Sequence, residues 1–197
     1  MAEPLPVRKR RATVANFLKF EKRVAVVAAL VEGCSINSIV RMTGVHKTTI
    51  LNTLVDVGAS CAELLDANVR DVDASEVQVD EIWAYVGKKQ GHLTPADRRE
   101  RPDMGDAYTF VAIDADSKLI VSHLTGKRDG AHADRFMKDV AVRLNGRRVQ
   151  ITSDGFAPYV NAIEVAFGCD VDYAMAIKEY DREDAGRGRY SPPKVKR

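Results

Sequence analysis

Apolar residues recur every three or four positions in three segments of the first third of the chain, which is the period of a buried helix face. Gly33 and Gly44 separate the segments, and Ser35 stands directly before the second one, where a hydroxyl can cap a helix. The pattern therefore predicts three helices, over residues 14–31, 36–43 and 46–65.

Beyond residue 76 the period changes, and apolar residues alternate with polar ones as they do along a strand. The predicted strands are residues 77–86, 108–113, 119–124, 148–152 and 171–177, and the predicted helices are residues 131–144 and 159–167. Residues 88–106 are strongly charged and are predicted to form an exposed loop. The order β-β-β-α-β-α-β is typical of a ribonuclease-H-like mixed sheet, in which three antiparallel strands are followed by parallel ones.

Charge divides the chain at the point where the hydrophobic period changes. Residues 1–53 carry nine Lys and Arg against three Asp and Glu, residues 54–76 carry one against six, and the remainder is nearly balanced. We therefore expect a two-domain protein of class α+β and α/β: a helical domain at 1–70, an acidic linker at 71–76 and a sheet domain at 77–197. A basic head suits a polyanion, although a solvated terminal arm at Arg8–Arg11 gives the same count.

Several classes of protein are excluded by the sequence. It has no apolar run long enough to span a bilayer and no secretory signal, so a cytoplasmic, nucleoid-associated protein is expected. Cys34, Cys61 and Cys169 are too far apart in sequence for a CxxC metal pair. Neither glycine-rich nucleotide-binding motif is present, and no Ser/His/Asp or Cys/His set has a local signature.

The second and third predicted helices, with the glycine turn between them, have the form of a helix-turn-helix. Small polar and basic residues open the third helix, where a recognition helix would meet the major groove. The candidate DNA-binding residues are Arg41, His46, Lys47, Thr48 and Thr49. A three-helix bundle that binds protein, or that only packs, would show the same pattern.

Two carboxylates are candidates for chemistry in the sheet domain. Asp80 lies in the middle of the first predicted strand, and Asp154 follows the fourth. These two positions are neighbours in such a sheet, so the pair could share Mg²⁺ for phosphoryl transfer. The alternative is that Asp154-Gly155 is an ordinary turn and that Asp80 and Glu81 lie on a solvated strand face. Asp114, Asp170 and Asp172 are interpreted as turn or solvated residues, and Trp83 as a core residue.

Residues 79–88 (Val-Asp-Glu-Ile-Trp-Ala-Tyr-Val-Gly-Lys) resemble the first catalytic block of the insertion-sequence-one family of DDE transposases. Residues 114–116, 148–156, 159–168, 170–173 and 189–193 resemble the blocks that follow, in the same order. The resemblance implies that Asp80 and Asp154 are the first two catalytic acids and bind Mg²⁺ or Mn²⁺. It also implies a head that recognises the terminal inverted repeats of a mobile element, and DNA strand cleavage and transfer at the element ends. The expected partner is double-stranded DNA, with self-association of the chain left open.

The family's third acid is a Glu after the Tyr-Ser-Pro block, on a helix beginning Glu-Arg-x-Asn, and nothing in this sequence matches that helix. Glu179 and Glu183 come before the block, so the role is not assigned to them. The chain is therefore expected to be a transposase with an incomplete catalytic domain, inactive or nearly so alone. The alternatives are a non-catalytic DNA-binding protein that represses transposition and a nuclease without joining activity.

Overall fold

The structure is a computed structural model that describes residues 18–177. The described residues form two compact units that divide between Asp66 and Ala67. Among these residues, no helix combines the length and the apolar character needed to cross a membrane.

The first unit contains three helices: α1 (Phe20–Val31), α2 (Ile36–Thr43) and α3 (Lys47–Asn68). The Ser35 hydroxyl accepts a hydrogen bond from the Ser38 backbone N–H, which confirms its predicted role as the cap of α2. Gly44 has φ +66°, a backbone conformation that favours glycine, and it ends α2 as predicted. The buried residues that hold the three helices together are Val26, Ile39, Val45 and Ile50.

The second unit is built on a five-stranded mixed sheet with the order β3-β2-β1-β4-β5. The strands are β1 (Glu76–Val86), β2 (Gly105–Asp114), β3 (Ile120–Gly126), β4 (Val149–Asp154) and β5 (Val171–Ala176). The first three pair antiparallel, whereas β4 is parallel to both β1 and β5. This is the predicted ribonuclease-H-like order and direction of strands.

Two helices, α5 (Gly130–Arg143) and α6 (Pro158–Phe167), form one core with the sheet. Phe110 is fully buried in this core, with its ring centroid 5.6 Å from that of Phe136 and 6.4 Å from that of Tyr159. On β1 the covered face begins with Val77 and Val79, which alternate with exposed polar residues. A strand of this kind therefore buries every second side chain under the helices.

The acidic segment at 71–76 is attached to the second unit. The Val72 backbone N–H donates to the Arg143 carbonyl at 2.9 Å, and Asp73 forms an ion pair with Arg147 at 2.8 Å. Its last residue, Glu76, begins β1. The assignment of this segment as a linker, and of the two domains on either side of it, stays a prediction.

Two predictions for the second unit were wrong. Residues 88–106 contain a single 3₁₀ turn at Gln90–His92 and a helix, α4 (Pro95–Glu100). Thr94 and Asp97 form a reciprocal capping box around the start of α4, and this local signal was hidden by the charge of the segment. Trp83 is 44% exposed instead of lying in the core, because it comes after the part of β1 that the helices cover.

Asp139 on α5 gives the second unit an acid-sensitive contact. Its carboxylate accepts a 2.7 Å hydrogen bond from the Arg143 Nε, and the Arg143 side chain is only 7% exposed. Burial raises the pKa of Asp139, but the hydrogen bonds from Arg143 and Ser122 outweigh it, so the pKa lies below its ordinary value. The contact therefore stabilises the fold above the unfolded-state pKa of about 3.9 and is lost as the pH falls through the folded-state pKa.

We expect Asp139→Asn to lower the free energy of unfolding by about 1–2 kcal/mol at pH 7. The difference from the unaltered chain should shrink as the pH falls below about 4. Urea unfolding followed by circular dichroism at several pH values measures this. Asp134→Asn on the same helix is the control, since the Asp134 side chain has no hydrogen bond or ion pair among residues 18–177. An Asp139→Asn penalty that stays constant down to pH 2 would contradict the assignment.

Candidate metal centre

The parallel pairing of β1 with β4 brings the two predicted acids together. The paired residues run from Glu76 with Gln150 to Val79 with Ser153, so the next neighbours along the two strands are Asp80 and Asp154. Both side chains are exposed at the end of β4. The Asp80 carboxylate accepts the Glu81 backbone N–H at 2.8 Å, and Asp154 accepts the Phe156 backbone N–H at 3.1 Å. These bonds restrict the direction of both carboxylates.

Glu81 adds a third carboxylate that the sequence analysis did not assign to the site. One oxygen from each of Asp80, Glu81 and Asp154 lies within 4.8 Å of the others. The Glu81 side chain is only 3% exposed, because it follows Val77 and Val79 on the covered face of β1. This alternation is the signal that the sequence offered. Glu81 stands where the next buried side chain of the strand is expected, so its carboxylate is expected to be buried.

Arg128 links two of the three carboxylates. Its Nε donates to Glu81 Oε2 at 2.8 Å, and an NH2 group lies 3.4 Å from Asp154 Oδ2. The guanidinium carbon is 4.0 Å from the centre of the Phe156 ring, so the ring supports the planar group from one side. Burial lowers the pKa of Arg128, but the neighbouring carboxylates raise it by more, and the guanidinium stays charged.

Two buried oxygen atoms beside this cation have no hydrogen-bond partner among the described residues. They are the second carboxylate oxygen of Glu81, Oε1, and the hydroxyl of Tyr159. Burial, followed by the neighbouring Glu81 carboxylate, raises the pKa of Tyr159 well above its ordinary value. The phenol therefore stays protonated and can donate a hydrogen bond to the Glu81 carboxylate beside it.

The donor set fits a hard divalent cation. Three carboxylates meet one guanidinium, so the cluster keeps an excess of negative charge, and carboxylate oxygens are the ligands that Mg²⁺ and Mn²⁺ prefer. The burial of the Glu81 carboxylate, whose side chain is 3% exposed, distinguishes this cluster from a set of solvated surface acids. Asp80, Asp154 and Glu81 are thus the residues that would hold such an ion.

The other acids considered from the sequence lie elsewhere. Asp114 accepts hydrogen bonds from the Asp116 and Ser117 backbone N–H groups at 3.3 and 3.2 Å, which confirms its interpretation as a turn residue. Asp172 on β5 forms an ion pair with Arg148. Neither Asp114 nor Asp172 belongs to the carboxylate cluster.

The candidate DNA-binding residues lie around the turn between α2 and α3. Arg41, His46, Lys47 and Thr48 are exposed, and Thr49 is half-buried. His46 Nδ1 accepts the Thr48 backbone N–H at 3.3 Å, so this ring is part of the turn into α3. Their role in binding DNA stays a prediction. The basic arm at Arg8–Arg11, the acids Glu179 and Glu183, and the block at 189–193 lie outside the described residues.

The chain was compared with known proteins. No protein-family model matches the sequence, and no curated protein does. Among solved structures, it is similar to the Mos1 transposase paired-end complex with left transposon end (12% identity, TM-score 0.34, 84% of this chain and 61% of that chain). It is also similar to the Mos1 mariner paired-end complex with Mn (13%, 0.34, 83% and 61%). A third similar structure is the piggyBac transposase synaptic complex with hairpin DNA (9%, 0.41, 89% and 46%). The chain thus spans less than two thirds of each of these proteins.

Proposed function

We propose that the chain is a transposase of the insertion-sequence-one type, which binds the ends of a mobile element and acts on DNA strands with a divalent metal ion. The observation that carries the proposal is the meeting of Asp80 and Asp154 at the end of two adjacent parallel strands, with Glu81 beside them. Sequence blocks that resemble those of a DDE transposase lie in a sheet with the predicted strand order.

In this proposal Asp80 and Asp154 are the principal metal ligands, and Glu81 offers a carboxylate oxygen within 4.8 Å of theirs. A bound divalent ion would activate a water or a 3′-hydroxyl and stabilise the leaving oxygen of a phosphodiester. Arg128 holds Glu81 in place and directs positive charge to the region where a phosphate would approach. The role of the third acid of the resembling family is not assigned to any of these residues.

The first unit would supply recognition of the DNA. Its exposed Arg41, Lys47 and Thr48 stand at the start of α3 and at the end of the helix before it, where phosphate and base-edge contacts are expected. A duplex held by this unit would supply the substrate for the carboxylate cluster.

The test combines metal binding with DNA binding. We expect the purified chain to bind Mn²⁺, measured by the loss of the free-ion electron paramagnetic resonance signal, and to retard duplexes taken from the DNA that flanks its own coding sequence. Absence of Mn²⁺ binding at millimolar concentration would contradict the metal-dependent function. Retardation of the duplex without metal binding would instead favour the non-catalytic DNA-binding protein.

A further inference from the structure

A cavity of about 620 Å³ has Arg128, the cation of the carboxylate cluster, in its lining. Four cations and an aromatic ring are among the residues that line it: Arg98, Arg101, Lys127, Arg128 and Tyr108. One acid, Asp106, is also in the lining, and its carboxylate accepts the Gln90 backbone N–H at 2.9 Å. Cations therefore outnumber acids in the lining, although the cavity adjoins an acidic centre and two of the cations, Arg101 and Arg128, are in ion pairs.

The four cations differ in how firmly they are held. Lys127 Nζ donates to the Asp106 carbonyl at 2.8 Å, so its charge is fixed in the wall of the cavity. Arg101 is in an exposed ion pair with Asp103, which water screens. The Arg98 side chain has no hydrogen bond or ion pair among residues 18–177 and can turn towards an anion. The cavity thus offers one fixed charge and two adaptable charges next to Arg128.

Aromatic side chains continue this surface along the sheet. Trp83 on β1 is paired across the strands with Tyr108, so both side chains lie on the same face, just beyond Glu81 and Phe110. The Trp83 ring centroid is 5.8 Å from that of Tyr85, and the two side chains are 44% and 49% exposed. Lys89 Nζ lies 5.2 Å from the centre of the Trp83 ring.

Exposed aromatic rings beside a groove with cations are the kind of surface that binds single-stranded nucleic acid, since bases stack on the rings and phosphates contact the charges. A protein-binding patch of this size would not need four cations in its wall. The position also fits, because the surface begins at Arg128, which contacts two carboxylates of the metal centre.

We propose that this surface, from Arg128 through the cavity to Trp83 and Tyr85, binds a single strand of DNA that extends from the carboxylate cluster. The proposal rests on the proposed function, because the strand is the one on which the metal centre acts. It assigns to this face the separated strand and leaves duplex recognition to the first unit.

The test uses the intrinsic fluorescence of Trp83, the only tryptophan in the chain. We expect an oligothymidylate of about eight nucleotides to quench this emission in the full chain, because a stacked base quenches indole. The apparent affinity should fall with salt, with a log–log slope of about −0.7 for each phosphate contacted. No metal is needed, so this outcome is separate from the Mn²⁺ titration.

Variants locate the binding. Arg98→Ala/Arg101→Ala should weaken binding about tenfold and make the salt slope shallower. Arg135→Ala is the matched control, since Arg135 is an exposed arginine that lines a different pocket. This variant should bind the oligothymidylate as tightly as the unaltered chain does. Three results would overturn the proposal: no quenching at low salt, equal weakening by the control, or equally tight binding of thymidine monophosphate, which would indicate a mononucleotide site.

Discussion

Binding of Mn²⁺ is expected to disappear when Asp80 and Asp154 are both replaced by Asn. Each of these carboxylates offers an oxygen within 4.8 Å of the other and of Glu81, and each has one backbone N–H that keeps it in place. Asn keeps the shape and one oxygen but removes the negative charge on which a hard cation depends. We expect each single variant to bind Mn²⁺ at least about tenfold more weakly, and the double variant to show no binding at millimolar concentration.

The control for this pair is Asp170→Asn, which removes an exposed Asp that is outside the cluster. It should bind Mn²⁺ as the unaltered chain does. Circular dichroism of the four variants shows whether the fold is retained, and it should be, because Asp80, Asp154 and Asp170 are exposed. Normal Mn²⁺ affinity in the double variant would place the metal elsewhere and remove the main support for the proposed function.

The second large effect concerns stability and is expected from Arg128→Ala. Arg128 is the cation that neutralises Glu81, and the Glu81 side chain is 3% exposed, whereas that of Arg128 is 34% exposed. Removing one partner of a buried ion pair leaves the other charge without compensation, which costs about 3 kcal/mol. Loss of the contact between the guanidinium and the Phe156 ring adds to this. Urea unfolding at neutral pH measures the difference.

A second substitution separates the charge effect from lost packing. Glu81→Gln in the Arg128→Ala background removes the uncompensated charge, so this double variant should be more stable than Arg128→Ala alone. Arg101→Ala breaks the pair with Asp103, in which both side chains are more than half exposed, and should cost less than about 1 kcal/mol. Equal losses in Arg128→Ala and Arg101→Ala, with no recovery by Glu81→Gln, would show that burial of Glu81 does not determine the effect.

The order of the elements could be predicted from the sequence because the apolar residues follow a helical period in some segments and a strand period in others. Strands β1 to β5 and helices α5 and α6 each follow a clean alternation or a helical face, and their predicted limits agree with the structure to within a few residues. The wrong predictions concern features about which the hydrophobic period gives little information. The short helix α4 depends on a local contact between Thr94 and Asp97, and the exposure of Trp83 depends on how far along β1 the helices extend.

The site was only partly predictable for a similar physical reason. The predicted strand order makes β1 and β4 neighbours, and this was sufficient to predict that Asp80 and Asp154 lie close together. Glu81 needed the register of β1 as well, because one position decides which face a side chain takes. Arg128 lies 47 residues further along, in the segment before α5, and only the packed tertiary structure shows that it reaches both Glu81 and Asp154.

The ion pair between Glu81 and Arg128 also limits how this sequence can change over generations. Loss of either partner alone leaves an uncompensated charge near the core, while loss of both can be nearly neutral once the space is filled by apolar side chains. For the stability of the fold the two positions are therefore coupled: a stably folded descendant keeps both residues or exchanges both. Substitutions at positions 81 and 128 are thus expected to occur together, although the two residues are 47 positions apart in the sequence.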